Sequence, residues 1–333
     1  MEKKKSILLI RFKSIGDVVL TLPAVQAVRE NFPDAHIAFC TIRDNAPLLQ
    51  GFSEVDEVIV CDREALRSGN PFRIVPVFLG LLARLRRGRF SLVVDFQGYG
   101  ETAWLARLTG AAERWGTIYS SGRRWAYTRH LPRNTQVHAT EDHLALLRHG
   151  GLWVNRIRNE FVVPPVAIET ARKFFADNNL ETTKPTLFIQ PFTSMRHKNW
   201  PLENYLAIAR EWRSRGVQII FGGGPDDKSR LESAHTEGFA ISAGVPLLVT
   251  GGLMQLSNLV LGGDTGALHL AVAQGRRVLM LMHEASPGSP VPFQHREWII
   301  VAPTPVAIGK IPVAEVNAAV ARFFSGPAGN AFY

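Results

Sequence analysis

Residues 262–269 have the sequence Gly262-Gly263-Asp264-Thr265-Gly266-Ala267-Leu268-His269. Residues 258–261, apolar except for Asn258, predict a short buried strand before this stretch, and residues 267–274 predict a helix that Gly275 ends. A strand, a polar turn bracketed by glycine and a helix together form a common anion site. The free N–H groups of the first helical turn and the positive end of the helix dipole both face the bound group.

The polar residues of this turn have two interpretations. Asp264 or Thr265 can cap the helix, and His269 lies one turn beyond Thr265 on the same helix face. Taken in isolation, the pattern is explained more simply by an ordinary capped helix with a hydrogen-bonded histidine. The remaining sequence therefore has to decide whether the turn is a ligand site.

Strands and helices alternate along the chain, and the alternation restarts after Pro164. The predicted strands are residues 6–12, 36–41, 57–61, 91–95, 186–190, 217–221, 239–242, 258–261 and 278–282. The predicted helices are residues 18–31, 72–87, 101–108, 139–149, 167–178, 202–215, 226–235, 247–256, 267–274 and 313–324. This order is typical of the α/β class, with two Rossmann-like, doubly wound domains whose ligands bind at the carboxyl ends of the strands, facing a central cleft.

The predicted domains are residues 1–164 and residues 165–312. Residues 313–333 are expected to form a C-terminal helix, for which packing on the first domain is one expectation, and a frayed tail.

The composition is that of a soluble globular protein, with 46% hydrophobic and 20% charged residues among 333. Cys40 and Cys61 both lie in apolar, strand-like segments, which indicates a reducing compartment rather than a disulfide framework. The N-terminal segment is too short for a signal peptide, and the apolar run at residues 74–83 is too short to span a membrane. We therefore expect a cytosolic protein.

Positive charge is concentrated in the first half of the chain. The formal net charge is +9, and residues 63–133 contain 13 Lys and Arg against 4 Asp and Glu. Such a segment favours an acidic partner, which would be nucleic acid, anionic lipid or a phosphorylated substrate. A merely solvated surface is the alternative, because long arginine side chains often only cover apolar groups.

Two loops of the first half contain residues suited to chemistry. In Lys13-Ser14-Ile15-Gly16-Asp17, the carboxylate of Asp17 is either a helix-capping group or a general base. Residues 95–103 contain a Gly-x-Gly-x-x-Ala pattern, but it follows a later strand rather than the first. A turn at the wall of the cleft is therefore favoured over a dinucleotide site.

Two loops of the second half have the character of a phosphate and ribose site. Residues 190–201 bring the hydroxyls of Thr193 and Ser194 and the amine of Lys198 between a strand and a helix. Residues 222–227 end in Asp226 and Asp227 after three glycines, so a ligand can approach the backbone there and meet carboxylates. The sequence has no His, Cys or Asp pair with the spacing of metal ligands, and we predict no metal.

Four segments in this order resemble the heptosyltransferase family, glycosyltransferase family 9, whose fold is GT-B. They are Ile10-Arg11-Phe12-Lys13-Ser14-Ile15-Gly16-Asp17-Val18-Val19-Leu20-Thr21-Leu22-Pro23, Val94-Asp95-Phe96-Gln97-Gly98, Lys198-Asn199-Trp200-Pro201 and Asp264-Thr265-Gly266-Ala267-Leu268-His269-Leu270-Ala271. The resemblance covers most of the chain and favours a ligand site at the opening stretch.

The resemblance implies transfer of a heptose from ADP-L-glycero-D-manno-heptose to the inner core of lipopolysaccharide, with inversion and without a metal or other cofactor. It implies that Asp17 is the catalytic base and that Lys198 stabilises the leaving ADP. The first domain would bind the acceptor and the second the nucleotide sugar. The donor site would contain Thr193, Ser194, Asp226, Asp227, Asp264, Thr265, Gly266 and His269, and the acceptor site would contain Lys13, Ser14, Gly16 and Gln97.

The implied partners are a nucleotide sugar and an acidic acceptor, either Kdo-lipid A or a core that already carries heptose. The enzyme would be cytoplasmic and peripheral on the inner face of the inner membrane of a Gram-negative bacterium, in contact with anionic lipid, and no nucleic acid is expected.

Two segments depart from the family pattern. Residues 283–288 have the sequence His283-Glu284-Ala285-Ser286-Pro287-Gly288 where the family usually has a Gly-Pro-Thr-x-Pro type of turn near the sugar, and Gly251-Gly252 interrupts a predicted helix. The alternatives are therefore a related transferase for another nucleotide sugar, or a catalytically silent protein that binds a nucleotide sugar or RNA. The RNA alternative would require the basic stretch to stack bases on its tryptophans and Tyr127.

Overall fold

The computed structural model describes residues 4–303 and 308–325, without the side chain of Ser325. The chain divides between Val162 and Val163 into two compact units, called unit 1 and unit 2 below. The frayed tail predicted for the last residues, 326–333, lies outside the described residues. No helix within the described ranges is both long and apolar enough to cross a membrane.

The described part of unit 1 is a parallel six-stranded sheet with helices on its faces. Its strands are β1 (Ser6–Ile10), β2 (His36–Ile42), β3 (Glu57–Cys61), β4 (Leu92–Asp95), β5 (Glu113–Ile118) and β6 (Arg129–Pro132). Its helices are α1 (Ile15–Val19), α2 (Leu22–Asn31), α3 (Arg63–Leu66), α4 (Pro71–Arg87), α5 (Gly100–Leu108) and α6 (Ala139–His149). The strand order is β3-β2-β1-β4-β5-β6.

Unit 2 repeats this topology in its described residues. Its strands are β7 (Thr186–Gln190), β8 (Gln218–Gly223), β9 (Ala240–Ala243), β10 (Leu259–Gly263), β11 (Val278–Met282) and β12 (Ile299–Val301). Its helices are α7 (Pro165–Asp177), α8 (Leu202–Ser214), α9 (Glu232–Thr236), α10 (Leu247–Gln255), α11 (Gly266–Ala273) and α12 (Val313–Ser325). The order β12-β11-β10-β7-β8-β9 is that of unit 1 counted from the opposite edge, so the α/β fold with two Rossmann-like units is confirmed.

In each unit the order of strands reverses next to the first strand. The reversal lies between the paired strands β1 and β4 in unit 1, and between β7 and β10 in unit 2. Crevices at such switch points, beyond the carboxyl ends of the strands, are where open α/β sheets bind ligands. The topology therefore selects the loops after β1, β4, β7 and β10.

Two predicted helices are wrong in detail. The helix predicted at residues 18–31 is two helices, because the Thr21 hydroxyl bonds the carbonyl of Val18 (2.7 Å) at the end of α1 and Pro23 lies in the first turn of α2. The helix predicted at residues 226–235 is two short 3₁₀ segments followed by α9. Gly224 N–H donates to the Asp227 carboxylate (2.9 Å), which stabilises a tight turn instead.

Three strands were not predicted from the sequence: β5, β6 and β12. In β5 the charged pair Glu113 and Arg114 and the glycine Gly116 conceal the apolar pattern, although Trp115 is 5% exposed. Strands β6 and β12 are edge strands of four and three residues, too short to show a period.

Helix α12 packs inside unit 2. Val316 and Val320 are fully buried in the same apolar cluster as Trp212 of α8, and the Trp212 indole N–H donates to the Asn317 side-chain oxygen (2.7 Å). The packing of this helix on the first domain stays a prediction, as does the cleft between the domains.

Candidate active site

Asp17 lies in the first turn of the short helix α1, which follows β1 at the switch point of unit 1. Its backbone N–H donates to the Ser14 hydroxyl oxygen (3.3 Å), and that hydroxyl donates to Asp17 Oδ2 (3.0 Å). Ser14 has a φ of 27°, a strained value for a residue other than glycine. Strain of this kind is typical of a functional turn. Because its hydroxyl accepts from the Asp17 N–H, Ser14 is the N-cap residue of this five-residue helix, and Asp17, in its first turn, is not the cap and remains the candidate base.

Arg11 fixes the other oxygen of this carboxylate. One guanidinium nitrogen lies 3.0 Å from Asp17 Oδ1, and another donates to the carbonyl of Phe96 (2.6 Å) after β4. Arg11 is 5% exposed, whereas the Asp17 side chain is 35% exposed. The carboxylate is thus held in place by a buried arginine, while its exposed side is accessible to a ligand.

Gln97 joins the two loops at this switch point. Its side-chain oxygen accepts hydrogen bonds from the backbone N–H groups of Phe12 (3.2 Å) and Lys13 (3.1 Å). Gln97 is 1% exposed, so it holds the Asp17 loop in place from within the protein. The predicted acceptor residue is therefore a loop-positioning residue in this structure.

Buried Asp95 supports the turn that carries Gln97. Its Oδ1 accepts from the N–H groups of Gln97 (2.9 Å) and Gly98 (3.0 Å), and its Oδ2 accepts from the Tyr127 hydroxyl (2.6 Å). Burial raises the pKa of the Asp95 carboxyl, and these hydrogen bonds oppose the rise. Gly98 has a φ of +65°, and a Cβ there would lie 1.6 Å from the Thr117 carbonyl oxygen, so only glycine fits.

The remaining predicted acceptor residues surround Asp17. Lys13 is exposed, and its Nζ lies 5.4 Å from the centre of the Tyr99 ring, a cation–π contact between the two loops. Gly16 forms the first turn of α1 next to Asp17. Lys13, Ser14 and Gly16 are thus on the accessible side of the loop, in contrast to Gln97.

Asp264 is the centre of the site in unit 2. Its Oδ2 accepts from Lys198 Nζ (3.0 Å), and its Oδ1 lies 3.3 Å from His269 Nε2. Burial alone would raise the pKa of Asp264, but the hydrogen bond from His269 and the charges of His269 and Lys198 outweigh it and lower the pKa below its usual value. The switch point of unit 2 therefore carries an ionised carboxylate between two nitrogen donors.

Thr265 begins α11 directly after Asp264. Its hydroxyl oxygen accepts from Leu268 N–H (3.3 Å), so Thr265 is the N-cap residue, and the N–H group of Gly266 in the first turn has no carbonyl partner within the helix. His269 lies one turn after Thr265 in α11 and is 4% exposed, and its Nδ1 has no hydrogen-bond partner in the described residues. The opening stretch is a capped helix and a polar site at once.

Two glycines at the end of β10 allow close approach of β7 and of the Lys198 loop. A Cβ on Gly262 would lie 2.4 Å from the carbonyl oxygen of Gln190, and a Cβ on Gly263 would lie 2.7 Å from Thr193 Cγ2. Both distances are shorter than real Cβ contacts, so a side chain at Gly262 would displace the end of β7 and one at Gly263 would displace the Lys198 loop. These glycines are needed for close approach of neighbouring segments rather than for backbone freedom.

The predicted phosphate hydroxyls differ in accessibility. Thr193 Oγ1 donates to the Met195 carbonyl (2.8 Å), and the Thr193 N–H donates to the Asn199 side-chain oxygen (2.8 Å), so Thr193 shapes the loop. Ser194 is exposed beside it.

The ribose candidates lie in the loop after β8, away from the switch point. Asp227 is occupied by Gly224 N–H and by Arg230 (2.7 Å), whereas Asp226 is exposed. Of the two carboxylates, Asp226 is the accessible one.

The two departures from the family pattern have structural consequences. Helix α10 forms through Gly251-Gly252. A Cβ at Gly252 would lie 2.9 Å from the Ala167 carbonyl oxygen of α7, so the glycine allows the two helices to pack closely. In the loop after β11, the His283 ring lies 6.0 Å from the His197 ring, so this loop meets the loop that carries Lys198.

Sequence reasoning missed Arg11 as the partner of Asp17 and missed Tyr127 and Asn199 as loop supports. Arg11 directly follows the buried strand β1, and a buried cation there would have indicated an acidic partner nearby. Tyr127 and Asn199 gave no such signal, because their contacts depend on the fold. No group of three or more His, Cys, Asp or Glu residues in the described ranges has an arrangement that could hold a metal ion.

The sequence model of glycosyltransferase family 9 (heptosyltransferase) matches residues 79–308, well over half of the chain. The chain belongs to glycosyltransferase family 9. The resemblance drawn from the four segments is thus confirmed, and the chain is a glycosyltransferase.

Individual relatives of this glycosyltransferase cover nearly its full length. The lipopolysaccharide core heptosyltransferase OpsX of Haemophilus influenzae is 22% identical over 313 residues, 90% of this chain and 85% of the relative. The solved structure of a family 9 glycosyltransferase from Veillonella parvula has a TM-score of 0.86 at 19% identity and covers 97% of this chain and 98% of that one.

A structure of E. coli heptosyltransferase WaaC with ADP-2-deoxy-2-fluoro heptose has a TM-score of 0.76 at 20% identity, covering 95% of this chain and 98% of the other. At these identities the structures show the fold, and the predicted GT-B class is confirmed.

Proposed function

We propose that this glycosyltransferase transfers a heptose from ADP-L-glycero-D-manno-heptose to the inner core of lipopolysaccharide, by an inverting mechanism that uses no metal. The observation that carries the proposal is the arrangement of Lys198 and His269 around Asp264 at the amino end of α11. OpsX, by its name, acts on the lipopolysaccharide core, and the WaaC structure contains an ADP-heptose analogue. Both names support the same substrate class here.

Asp17 is the base in this mechanism. Its carboxylate takes the proton of the acceptor hydroxyl while that oxygen forms a bond to the anomeric carbon of the heptose. The bond from this carbon to the ADP oxygen breaks on the opposite face, and ADP leaves with the electron pair. Arg11 and the Ser14 hydroxyl hold the carboxylate in one orientation, so its remaining lone pairs are directed at the acceptor.

Lys198 and the amino end of α11 stabilise the leaving diphosphate. The ammonium group neutralises charge that develops on the phosphate oxygens, and the N–H group of Gly266 donates to them. A carboxylate would repel a phosphate, so Asp264 accepts hydrogen bonds from the sugar hydroxyls instead. In this role Asp264 also keeps Lys198 (21% exposed) directed into the site before the donor binds.

The exposed residues beside these groups complete the two substrate sites. The Ser194 hydroxyl donates to the phosphates, and the Asp226 carboxylate accepts from a ribose hydroxyl. Lys13 attracts an acidic acceptor that bears Kdo carboxylates. The protein acts in the cytoplasm, peripherally on the inner face of the inner membrane, where such an acceptor is accessible.

The test is Asp17→Asn, measured with ADP-heptose and Kdo-lipid A. Asn keeps the shape but takes no proton, so we expect turnover to fall by about 10²–10⁴-fold while donor affinity stays within about twofold. Asp34→Asn is the matched control, because Asp34 is exposed in unit 1. It precedes β2, at the amino ends of the strands, whereas Asp17 lies at their carboxyl ends. Normal turnover by Asp17→Asn would refute the assignment of the base.

A second candidate is transfer of a sugar from another nucleotide. It is favoured by His283, which lies beside His197 where the family usually has a different turn. Thermal shift with ADP-heptose, UDP-sugars and GDP-sugars separates the candidates: stabilisation by a UDP- or GDP-sugar alone would replace ADP-heptose as the donor.

A further inference from the structure

Helix α4 is apolar on its outer side as well as on its inner side. Leu81 and Leu85 are buried against the sheet, yet Phe72 is 89% exposed, Val75 52% and Leu79 56%. The three exposed residues are spaced by three and four positions, so they form one stripe along the helix. A helix with apolar residues on both sides is normally covered, and an exposed apolar patch of this kind marks an interaction surface.

Two tryptophans extend this stripe onto neighbouring elements. Trp104 of α5 is 57% exposed, and Trp125 in the 3₁₀ helix Ser121–Ala126 is 46% exposed. Their ring centres are 4.5 Å apart. We call Phe72, Val75, Leu79, Trp104 and Trp125 the outer apolar surface.

These elements cover the same face of the unit 1 sheet. Helix α4 packs beside α5, and α5 packs beside the 3₁₀ helix. Leu81, Ala103 and Ala126, one from each element, belong to a single core cluster beneath them. Their outer sides therefore belong to one continuous surface of unit 1.

The charge around the outer apolar surface is positive. Helix α4 contains four arginines and no acidic residue, and α5 and the 3₁₀ helix add three more arginines: Arg73, Arg84, Arg86, Arg87, Arg107, Arg123 and Arg124. Among the nearby acidic groups, Asp95 is buried, Glu101 is paired with Arg63 (2.8 Å) and Arg67 (3.2 Å), and Glu57 is paired with Arg84 (2.9 Å). Glu64 of α3 is exposed, so the seven arginines still outnumber the acidic groups beside them. An apolar stripe with tryptophans and flanking arginines is complementary to an anionic lipid surface.

We propose that the outer apolar surface binds unit 1 to an anionic lipid bilayer. Phe72, Val75 and the tryptophans would enter the interfacial region, and the arginines would contact lipid phosphates. The inference adds a membrane-binding surface to the proposed function. It rests on that function only for the statement that the acceptor is a lipid of the same bilayer.

The outer apolar surface also reaches the carboxyl ends of the strands, where the acceptor loops of unit 1 lie. A helix that connects parallel strands runs back along them, so it begins at the carboxyl edge. Phe72 is in the first turn of α4, which follows β3 through α3, and Trp125 follows β5. The loops of Asp17 and Gln97 follow β1 and β4, so they lie at this same edge of the sheet. Binding there brings the lipid surface next to the acceptor loops of unit 1.

The test is sedimentation of the full chain with vesicles, without donor or acceptor. Vesicles of phosphatidylcholine alone are compared with vesicles that also contain phosphatidylglycerol. We expect binding to the anionic vesicles, weakened by salt, and at least about tenfold less binding to neutral ones. Equal binding to both, or binding to neither, would refute the proposal.

Two variants separate the apolar contribution from the charge contribution. Phe72→Ser with Leu79→Ser should weaken binding at least about tenfold, and Arg86→Gln with Arg87→Gln should weaken it about fivefold for each arginine removed. Trp153→Ser is the matched control, because Trp153 is 76% exposed near the end of α2 and outside the outer apolar surface. The substituted side chains are exposed, and of them Arg86 donates to the Leu108 carbonyl (3.1 Å). An unchanged unfolding midpoint for each variant verifies that the fold is intact.

Other occupants of the surface give different results. A dimer that Phe72→Ser with Leu79→Ser converts to a monomer, with vesicle binding unchanged, would assign the surface to a second copy of the chain. Binding of a uridine homopolymer that Trp104→Ala with Trp125→Ala abolishes, with vesicle binding unchanged, would assign it to RNA. Either result would overturn the proposal.

The proposal is tested separately from the transferase reaction. If ADP-heptose is not the donor, vesicle binding is unaffected. If the reaction is as proposed, Phe72→Ser with Leu79→Ser should transfer to a deacylated, water-soluble acceptor at the normal rate and slow only with a vesicle-embedded acceptor. Equal slowing with both acceptors would contradict a role in lipid binding.

Discussion

Arg11 connects Asp17 to the neighbouring strand of its sheet. The same guanidinium lies 3.0 Å from Asp17 Oδ1 and donates to the Phe96 carbonyl (2.6 Å), while Arg11 itself is 5% exposed. The position of the carboxylate thus depends on a rigid fork anchored in the sheet, and not only on the short helix α1.

Arg11→Lys tests this dependence. Lysine keeps the charge but cannot make both contacts in fixed geometry, so we expect kcat to fall roughly tenfold to a hundredfold with the KM for the donor unchanged. Arg43→Lys is the control, because Arg43 is 76% exposed and pairs with Asp62 outside the site. Steady-state kinetics of the two variants give the answer, and equal kcat values would show that the fork is dispensable.

Tyr127→Phe tests the support beneath Gln97. The Tyr127 hydroxyl donates to Asp95 Oδ2 (2.6 Å), and Asp95 is fully buried. Loss of this hydroxyl should therefore lower the free energy of unfolding by about 1–3 kcal/mol. Burial already raises the pKa of Asp95, and loss of a donor to its charged form should raise it further.

The pH dependence of that cost has a definite sign. A carboxyl whose folded pKa lies above its unfolded pKa destabilises the fold as pH rises between the two values. Tyr127→Phe enlarges this loss, so its deficit relative to the parent should be larger at about pH 7 than at about pH 3. Urea unfolding at both pH values measures it, and an equal or smaller deficit at neutral pH would contradict the account of Asp95.

Most of the fold could be predicted because most strands and helices have a local apolar or amphipathic pattern. The limits of β3, α6, β7 and β11 agree with the prediction, since each is a clear apolar or amphipathic run between turn residues. Strand β5 could not be predicted in this way, because its place next to β4 is decided by pairing along residues 92–95 and 113–116 rather than by its own sequence.

The site was predictable where function and capping use the same residue types. Asp264, Thr265, Lys198 and His269 follow strands or begin helices, and the structure brings all four together. Gln97 shows the limit of this reasoning, because it follows a strand but its amide is directed inward to Lys13 N–H. Which loop residues face a ligand is decided by contacts between distant segments.

Asp264→Asn tests the charged cluster in unit 2. The pKa of Asp264 is lowered in the folded protein, so the carboxylate contributes stability above its unfolded pKa of about 3.9, and this contribution is lost as pH falls through the folded pKa. Asparagine removes it, and we expect a loss of about 1–3 kcal/mol at neutral pH that disappears in acid. Asp34→Asn, at an exposed site, should show no such difference. A deficit that persists unchanged in acid would mean that the charge of Asp264 is not what stabilises the cluster.

Gly263→Ala tests whether close approach of two loops requires glycine. The added Cβ would lie 2.7 Å from Thr193 Cγ2, so either the strand end or the Lys198 loop must move, at a cost of about 1–3 kcal/mol. Donor affinity should fall as well, because Lys198 belongs to the displaced loop. Gly80→Ala is the control: nothing lies within 4 Å of its added Cβ, and alanine in mid-helix should stabilise α4 by about 0.5–1 kcal/mol.

Thr193→Ser identifies the cause of the Gly263→Ala defect. Serine keeps the hydroxyl that bonds the Met195 carbonyl and removes the methyl group that the new Cβ would meet. In the double variant we therefore expect recovery of about 1–2 kcal/mol and of donor affinity, relative to the sum of the single variants. Simple additivity in the double-mutant cycle would mean that Gly263 is needed for some reason other than the space it leaves for Thr193.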